Sequence, residues 1–457
     1  MGAVYAVPEA AEAQTLGVLL DMARRSEPSY LGAQATVDSA TAKHRQALGS
    51  FLPQINLSAS AQSNQREYET LNDLTPMQSD RYQSRSVQLS LNLPLFRYAD
   101  HVNREQTGYV LEQSLRQLEG VGQELSVKVL AAWFDLLAAR DQQSFAAAQE
   151  KAARKAWLIA NRGHELGLVG APQKEETRAK LDQALADQAG AEADVGARLA
   201  ALEQLTGTLP SAVFPYLRID RAVSEDNGIA MAEWQKLAEE HNPAWRAAQQ
   251  AYDAATAEVD KQYAGHAPTL DLVTQVSRNR QNAGGFPGQA GYNITQESIG
   301  LQLNVPIYSG GIQSAKVDDA MAQQSKARAD REAARRAAIF AIRQAWAGAQ
   351  SARFRLSAGR QAIESTTQAL RMATVGEKTG LKSDLDVLSA EQQWLAARRD
   401  WGRAWYDLML ARARLKSAAG MLNDADFAEI EARFQDNLPE GQTSTGDPMK
   451  TQQAAGI

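Results

Sequence analysis

The chain has 457 residues, a net charge of −6 and no cysteine, and only 7% of its residues are aromatic although 44% are hydrophobic. The missing thiols exclude disulfides, thiolate zinc sites and thiol catalysis, and the acidic balance offers no basic face for nucleic acid. No run of about 18 apolar residues occurs, so a membrane crossing would need strands of a closed barrel rather than a helix.

A tandem repeat organises the sequence. Ala132-Trp133 recurs as Ala345-Trp346, 213 residues later. Other pairs recur at offsets of 212 to 215 residues: Gly167 and Gly380, Gly207 and Gly420, Pro28 and Pro243, Pro53 and Pro268, Pro94 and Pro306. Repeats of this kind define the architecture. Each half is predicted to run helix, two strands, long helix, second helix.

The first repeat is predicted to span 1–215. Its strands are expected at about 54–64 and 85–95, its long helix at about 103–162 and its second helix at about 174–205. The long segment contains no proline, and sixty helical residues would measure about 90 Å. A helix of that length needs partners along its whole length, as in coiled-coil-like packing.

The second repeat is predicted to span 216–422. Its strands are expected at about 269–280 and 297–307, and its helices at about 313–374 and 384–418. Beyond it, residues 423–457 read as a polar tail, which we predict to be disordered from about Glu440.

Three of the four strands alternate cleanly between apolar residues and mostly Asn, Ser or Gln, and the strand at 270–277 alternates more loosely, with Thr274 among its apolar positions and Val273 among its polar ones. Period 2 gives one apolar and one polar face. The pattern suits a membrane strand beside a wet lumen, and it equally suits a half-buried hairpin in water. If the strands lie in lipid, four are too few to close a barrel, so several chains must share one. This reasoning does not choose three chains.

Several segments resemble the TolC family of outer-membrane factors. The segment 303–311, with Pro306, Tyr308, Gly310 and Gly311, resembles the family's strand-to-helix exit, and 91–96 is similar to its counterpart in the first repeat. The segment 380–388 resembles the helical turn at the family's periplasmic entrance. The resemblance covers residues 12 to 422.

The resemblance implies a mainly α fold with β, in which three chains form a twelve-stranded outer-membrane barrel continued by a periplasmic α-helical barrel. It implies an exit duct without enzymatic activity, cofactor or metal. The implied partners are two sister chains, outer-membrane lipid, a periplasmic adaptor, an inner-membrane ABC or RND transporter, and a protein or small-molecule cargo. Without a lipid-anchor cysteine, the chain is more similar to the type I protein-secretion branch than to the lipoprotein efflux branch.

At the entrance, the resemblance assigns four residues. Asp386 occupies the position of a pore-facing acid that symmetry would copy into a negative ring, and such rings favour cations. Ser389 stands where some members carry a second acid. Lys382 matches a basic residue that latches neighbouring hairpins, and Asp384 belongs to the same turn. An ordinary solvated turn remains the alternative for these residues.

Two other classes share some of these features. A periplasmic adaptor also combines a helical hairpin with β-structure, but it usually lacks a duplicated strand pair. A soluble coiled-coil scaffold would not need four alternating strands. No enzyme motif is present: His164-Glu165 lacks a second histidine at the spacing of zinc proteases, and no G-x-S-x-G elbow occurs.

Overall fold

A computed structural model describes residues 15–68, 78–208, 216–217, 230–283 and 290–435. The chain divides into two compact units. Met1–Ala35, Arg116–Arg246 and Ala334–Ile457 form the first, which we call the helical unit. Thr36–Leu115 and Ala247–Ala333 form the second, which we call the strand unit. No described helix is apolar enough over a sufficient length to cross a membrane.

The two halves of the chain share two helices, two long strands, a long helix and a second helix in the same order, and the second half also contains three short elements without a counterpart in the described part of the first half. The first half contains α1 (Leu16–Ser26), α2 (Pro28–Gly49), β1 (Gln54–Tyr68), β2 (Gln78–Arg97), α3 (Tyr98–Glu165) and α4 (Ala171–Thr206). The second contains β3 (Tyr216–Leu217), α5 (Met231–His241), α6 (Pro243–Ala264), β4 (Thr269–Ala283), β5 (Ala290–Asn304), α7 (Ile312–Lys378), α8 (Asp384–Ala418), α9 (Asp424–Glu431) and β6 (Phe434–Gln435). The predicted duplication is confirmed.

Each half begins with two helices rather than the single helix that we predicted. The break falls at Glu27 and Asn242, whose ψ angles of 120° and 121° are extended rather than helical. Each is followed by a proline, which disfavours the helical conformation of the residue before it. Pro28 and Pro243 then open α2 and α6 at the first helical position, where the missing N–H costs nothing.

The four long strands form one antiparallel sheet in the order β1-β2-β4-β5. Residues directly opposite each other share a face. One row therefore joins Ile55, Leu91, Thr274 and Ile299, and the next row on the other face joins Asn56, Ser90, Gln275 and Ser298. The sheet thus has an apolar face and a polar face, as the alternation predicted.

Exposure differs between the two faces. On β2 the apolar-face residues Val87 and Leu89 are exposed, whereas the polar-face residues between and beside them are half-buried. On β4, Ser277 of the polar face is 5% exposed. This difference indicates that the sheet curls around its polar face.

The strands extend further into the predicted loops than expected, because polar side chains continue to pair across the hairpin. Arg66 forms an ion pair with Asp80 at 2.7 Å, and Asn64 donates to Ser84 at 3.0 Å. At its other end β5 stops at Asn304 rather than at residue 307. Pro306 has no N–H to donate to a sheet.

The largest hydrophobic cluster lies in the helical unit. Trp133, Phe134, Trp405 and Tyr406 are buried at its centre, and Phe434 of β6 packs against Trp133 with ring centroids 4.7 Å apart. Part of the predicted polar tail therefore belongs to the core, since Phe427 and Ile430 of α9 are also buried. Residues from Glu440 onward lie outside the described residues.

Candidate functional site

The turn between α7 and α8 has the same backbone geometry as the turn between α3 and α4. Gly380 has a φ of 74°, and the N–H of Leu381 donates to the carbonyl of Gly376 at 2.8 Å. In the first repeat, Gly167 has a φ of 72°, and Leu168 donates to Gly163 at 2.8 Å. Positive φ after a helix is the usual reason for a glycine there. The sequence encodes this turn twice.

A second glycine in each turn makes room for a side chain. A Cβ at Gly376 would lie 2.6 Å from Cγ of Lys382, and a Cβ at Gly163 would lie 2.7 Å from Cγ2 of Val169. Real Cβ atoms do not approach other atoms so closely. The stem of Lys382 therefore lies against the last turn of α7.

Asp386 holds the first turn of α8 together. Ser383 is the N-cap residue, and its hydroxyl accepts the N–H of Asp386 at 3.2 Å. In return, Oδ2 of Asp386 accepts the N–H of Ser383 at 2.8 Å and its hydroxyl at 2.9 Å. This reciprocal arrangement is a capping box. These hydrogen bonds from Ser383, with the nearby charge of Lys382, lower the pKa of Asp386 below its usual value.

The remaining predicted entrance residues lie at the same turn. Asp384 is exposed and forms an ion pair with Lys155 of α3, with 3.3 Å between Nζ and Oδ2. Lys382 and Ser389 are exposed. The structure thus brings all four predicted residues to one turn of the helical unit. Their role at an entrance stays a prediction.

The predicted strand-to-helix exit lies in the strand unit, between β5 and α7. Tyr308 is 88% exposed, and Gly310 and Gly311 adopt φ angles of 63° and 81°. The first repeat differs, because Pro94 lies inside β2 opposite Asp271, next to a register shift, and β2 continues directly into α3. Pro306, in contrast, lies after the end of its strand.

Sequence reasoning missed a buried acid in the helical unit. The hydroxyl of Tyr406 donates to Oδ2 of Asp141 at 2.9 Å. Burial raises the pKa of Asp141 above its ordinary value, and burial beside Asp141 raises the pKa of Tyr406 well above its own. The two residues are 265 positions apart, so no local pattern could have joined them. Among the described residues, no group of three or more His, Asp or Glu could hold a metal ion.

Comparison with known protein families identifies the chain. The sequence model of the outer membrane efflux protein family matches it twice, over residues 19–208 and 234–421. The chain belongs to this family. The two matches follow the two halves of the chain, and they confirm both the resemblance to the TolC family and the location in the outer membrane. Members of the family are channels rather than enzymes.

Curated relatives of the chain include proteins named for secretion. Proteases secretion protein PrtF of Dickeya chrysanthemi is 27% identical over 80% of this chain and 78% of its own. Alkaline protease secretion protein AprF of Pseudomonas aeruginosa is 29% identical over 77% of this chain and 73% of its own. Outer membrane protein TolC of Vibrio cholerae is 26% identical over 92% of this chain and 94% of its own.

Solved structures of outer-membrane channels share the fold. The outer membrane protein VceC of Vibrio cholerae superposes with a TM-score of 0.69 at 20% identity, covering 89% of this chain and 96% of its own. The Campylobacter jejuni CmeC outer membrane channel gives a TM-score of 0.71 at 16% identity, covering 94% of each chain. The expected fold class, mainly α with four long strands in each chain, is confirmed.

Proposed function

We propose that three copies of this chain form an outer-membrane exit duct for type I protein secretion. The observation that carries the proposal is the open sheet. Its edge strands β1 and β5 have no further partner among the described strands. Its apolar face leaves Leu57, Ile299 and Leu301 between 66% and 75% exposed.

Lipid explains the exposed apolar face, and sister chains explain the open edges. Unpaired strand edges are not tolerated in the hydrocarbon region, where no water is present to satisfy the backbone. In this antiparallel sheet of four strands, β1 and β5 run in opposite directions. The β5 strand of one copy therefore pairs antiparallel with β1 of the next, and repetition closes a barrel.

The width of a duct selects three copies over two. Two copies would give eight strands, and the interior of an eight-stranded barrel is just wide enough to be filled by side chains. Three copies give twelve strands and leave an open lumen. The polar face, with Ser, Asn and Gln along its rows, is the wall that water in this lumen would contact.

We place the contact with the adaptor and the inner-membrane transporter at the two hairpin turns of the helical unit. Leu168 and Leu381 occupy equivalent positions in the two hairpin turns and are 79% and 83% exposed. The recurrence of a highly exposed leucine at the same position of both turns supports contact with another protein there. An adaptor that meets both repeats is the partner that the family resemblance implies. Membership in a channel family also argues against the adaptor and scaffold alternatives for the chain itself.

Protein cargo driven by an ABC transporter is favoured by two relatives whose names refer to protease secretion. The second candidate is export of small molecules with an RND transporter, which the description of the family favours. Expression in a single bacterial strain can distinguish protein secretion from small-molecule export. A strain lacking its own outer-membrane duct receives a protease exporter, its adaptor and this chain. Secreted protease in the medium supports the proposal. A gain in resistance to small toxic compounds without secreted protease supports the second candidate.

At the entrance, we propose that the carboxylates of Asp386 from three copies form a negative constriction. The lowered pKa of Asp386 keeps each of these carboxylates charged at neutral pH. In a planar bilayer, wild-type channels should prefer cations, and Asp386→Ala should weaken that preference. Since the substitution also breaks the capping box, Ser383→Ala is the matched control, which breaks the cap and keeps the charge. Equal selectivity in Asp386→Ala and wild type would remove this assignment.

A further inference from the structure

The apolar face of the sheet changes character toward the hairpin ends. Its rows begin with leucines near the helices, such as Leu270 opposite Leu303. Four arginines occupy the same face further along the strands: Arg81, Arg85, Arg278 and Arg280. We call this set the arginine rows.

The arginine rows carry a positive charge that the described part of the sheet does not neutralise. Arg85 lies directly opposite Arg280, and like charges in that position destabilise a strand pair. Both are exposed, as is Arg278, which within the described part of the sheet donates to the amide oxygen of Asn293 at 3.3 Å. Among the described residues, no carboxylate lies within ion-pair distance of these three. Two acids of the described strands share this face: Glu297 lies one row nearer the leucines, opposite Val276, and Glu67 lies at the hairpin end, opposite Ser79 and diagonal to Arg81.

The height of the arginine rows matches the edge of a bilayer. Leu270 and Arg280 are ten residues apart on β4, which is roughly 34 Å along an extended strand. At the strand tilt of 35–45° that is usual in outer-membrane barrels, this is about 26 Å across the membrane, and the apolar band of such barrels is about 25 Å tall. The helices α3 and α7 leave from the Leu270 end, so the arginines lie at the outer interface.

We propose that Arg85, Arg278 and Arg280 bind the phosphate groups of an anionic lipid in the outer leaflet. The proposal rests on the proposed function, because it requires the sheet to lie in the outer membrane. Guanidinium groups bind phosphate oxygens with two parallel hydrogen bonds. Neighbouring arginines on adjacent strands suit a headgroup with more than one phosphate. A phosphate between Arg85 and Arg280 also removes their mutual repulsion.

The test measures lipid binding to the full chain purified in neutral detergent. The probes are diphosphorylated lipid A, lipid A stripped of its phosphates, and inorganic phosphate as a competitor. Bound lipid is counted by native mass spectrometry. Arg85→Gln with Arg280→Gln should weaken binding of the phosphorylated lipid by about tenfold to thirtyfold, since each basic residue at a lipid surface contributes about fivefold. Lysine at both positions should retain part of the binding, because it keeps the charge but cannot make the two parallel hydrogen bonds of a guanidinium.

The control variant carries Arg178→Gln with Arg360→Gln, which removes two exposed arginines from α4 and α7. It should bind lipid like the wild type. Equal binding of phosphorylated and stripped lipid A would overturn the proposal, as would unchanged binding by the glutamine pair. Displacement by millimolar inorganic phosphate would show a free-anion site instead of a lipid site and would also overturn it.

Channel formation in planar bilayers separates this proposal from the one on which it rests. If the wild-type chain conducts but shows no phosphate-dependent lipid binding, the arginine rows have no such role and the duct stands. If it neither conducts nor inserts, both proposals fall together.

Discussion

Asn242 contacts three helices, two of them through its side chain, and removal of that side chain should be costly. Its Oδ1 accepts the N–H of Trp245 at 2.9 Å, which caps α6, and its Nδ2 donates to the carbonyl of Ala418 at 2.8 Å, near the end of α8. Its backbone N–H also closes α5 on Ala238. The residue is 8% exposed, so water does not readily replace the lost partners.

Asn242→Ala should destabilise the helical unit by roughly 2–3 kcal/mol. Loss of an N-cap costs about 1 kcal/mol, and a carbonyl left without its donor adds about 1–2 kcal/mol. The measurement is amide hydrogen exchange in the first turn of α6 and the last turn of α8. Protection there should fall by about 30- to 150-fold, with the urea midpoint lowered in parallel.

The first repeat provides the matched control, because there the helix cap and the bond to a distant carbonyl are made by two different residues. Glu27 caps α2 by accepting the N–H of Tyr30 at 2.9 Å, and the hydroxyl of Ser26 donates to the carbonyl of Leu205 at 3.2 Å. Glu27→Ala should therefore cost about 1 kcal/mol, clearly less than Asn242→Ala. If the two substitutions cost the same, the bond to Ala418 contributes nothing and the reasoning is wrong.

Three further outcomes are expected. Gly420→Ala should lower the free energy of unfolding by more than about 3 kcal/mol, because its Cβ would lie 2.3 Å from a backbone carbonyl oxygen. Gly380→Ala, at a similar φ but in open space, should lower it by about 1–2 kcal/mol. Urea unfolding compares the two variants. Asp141→Asn should raise the urea midpoint at pH 7, because the raised pKa of Asp141 means that its ionised form destabilises the folded state. The gain should shrink as the pH falls and vanish below the ordinary pKa of 3.8, where the acid is protonated in both the folded and the unfolded states. Ile299→Lys, on the lipid face, should prevent formation of heat-resistant trimers, whereas Ser298→Lys, on the lumen face, should not; equal behaviour in gel migration would contradict the assignment of faces.

Short-range patterns made much of the fold predictable. The repeat was visible because Gly167 and Gly380 must both adopt positive φ, which few other residues tolerate. The faces of the sheet followed from alternation, which is strict in three strands and looser in β4. The capping box at α8 was also readable, since Ser383-x-x-Asp386 has the required spacing, although we read Asp386 only through the resemblance.

Contacts between distant segments were not predictable in this way. The ion pair of Lys155 with Asp384 and the bond of Tyr406 to Asp141 join different helices, and nothing in either local sequence specifies the partner. The helix α9 was read as tail because its polar residues outnumber Phe427 and Ile430, yet these two side chains pack into the core. Tertiary packing decided these features.

The polar face of the sheet has a consequence for cargo. Between its ends it displays uncharged amides and hydroxyls, and the charges near its ends occur as pairs, Arg66 with Asp80 and Arg97 with Asp271. In the duct proposed above, such an electrically balanced wall would give an unfolded polypeptide of either sign no place to adhere. Acidic and basic segments would then pass this part of the channel alike, and sorting by charge would be left to the negative constriction proposed at Asp386.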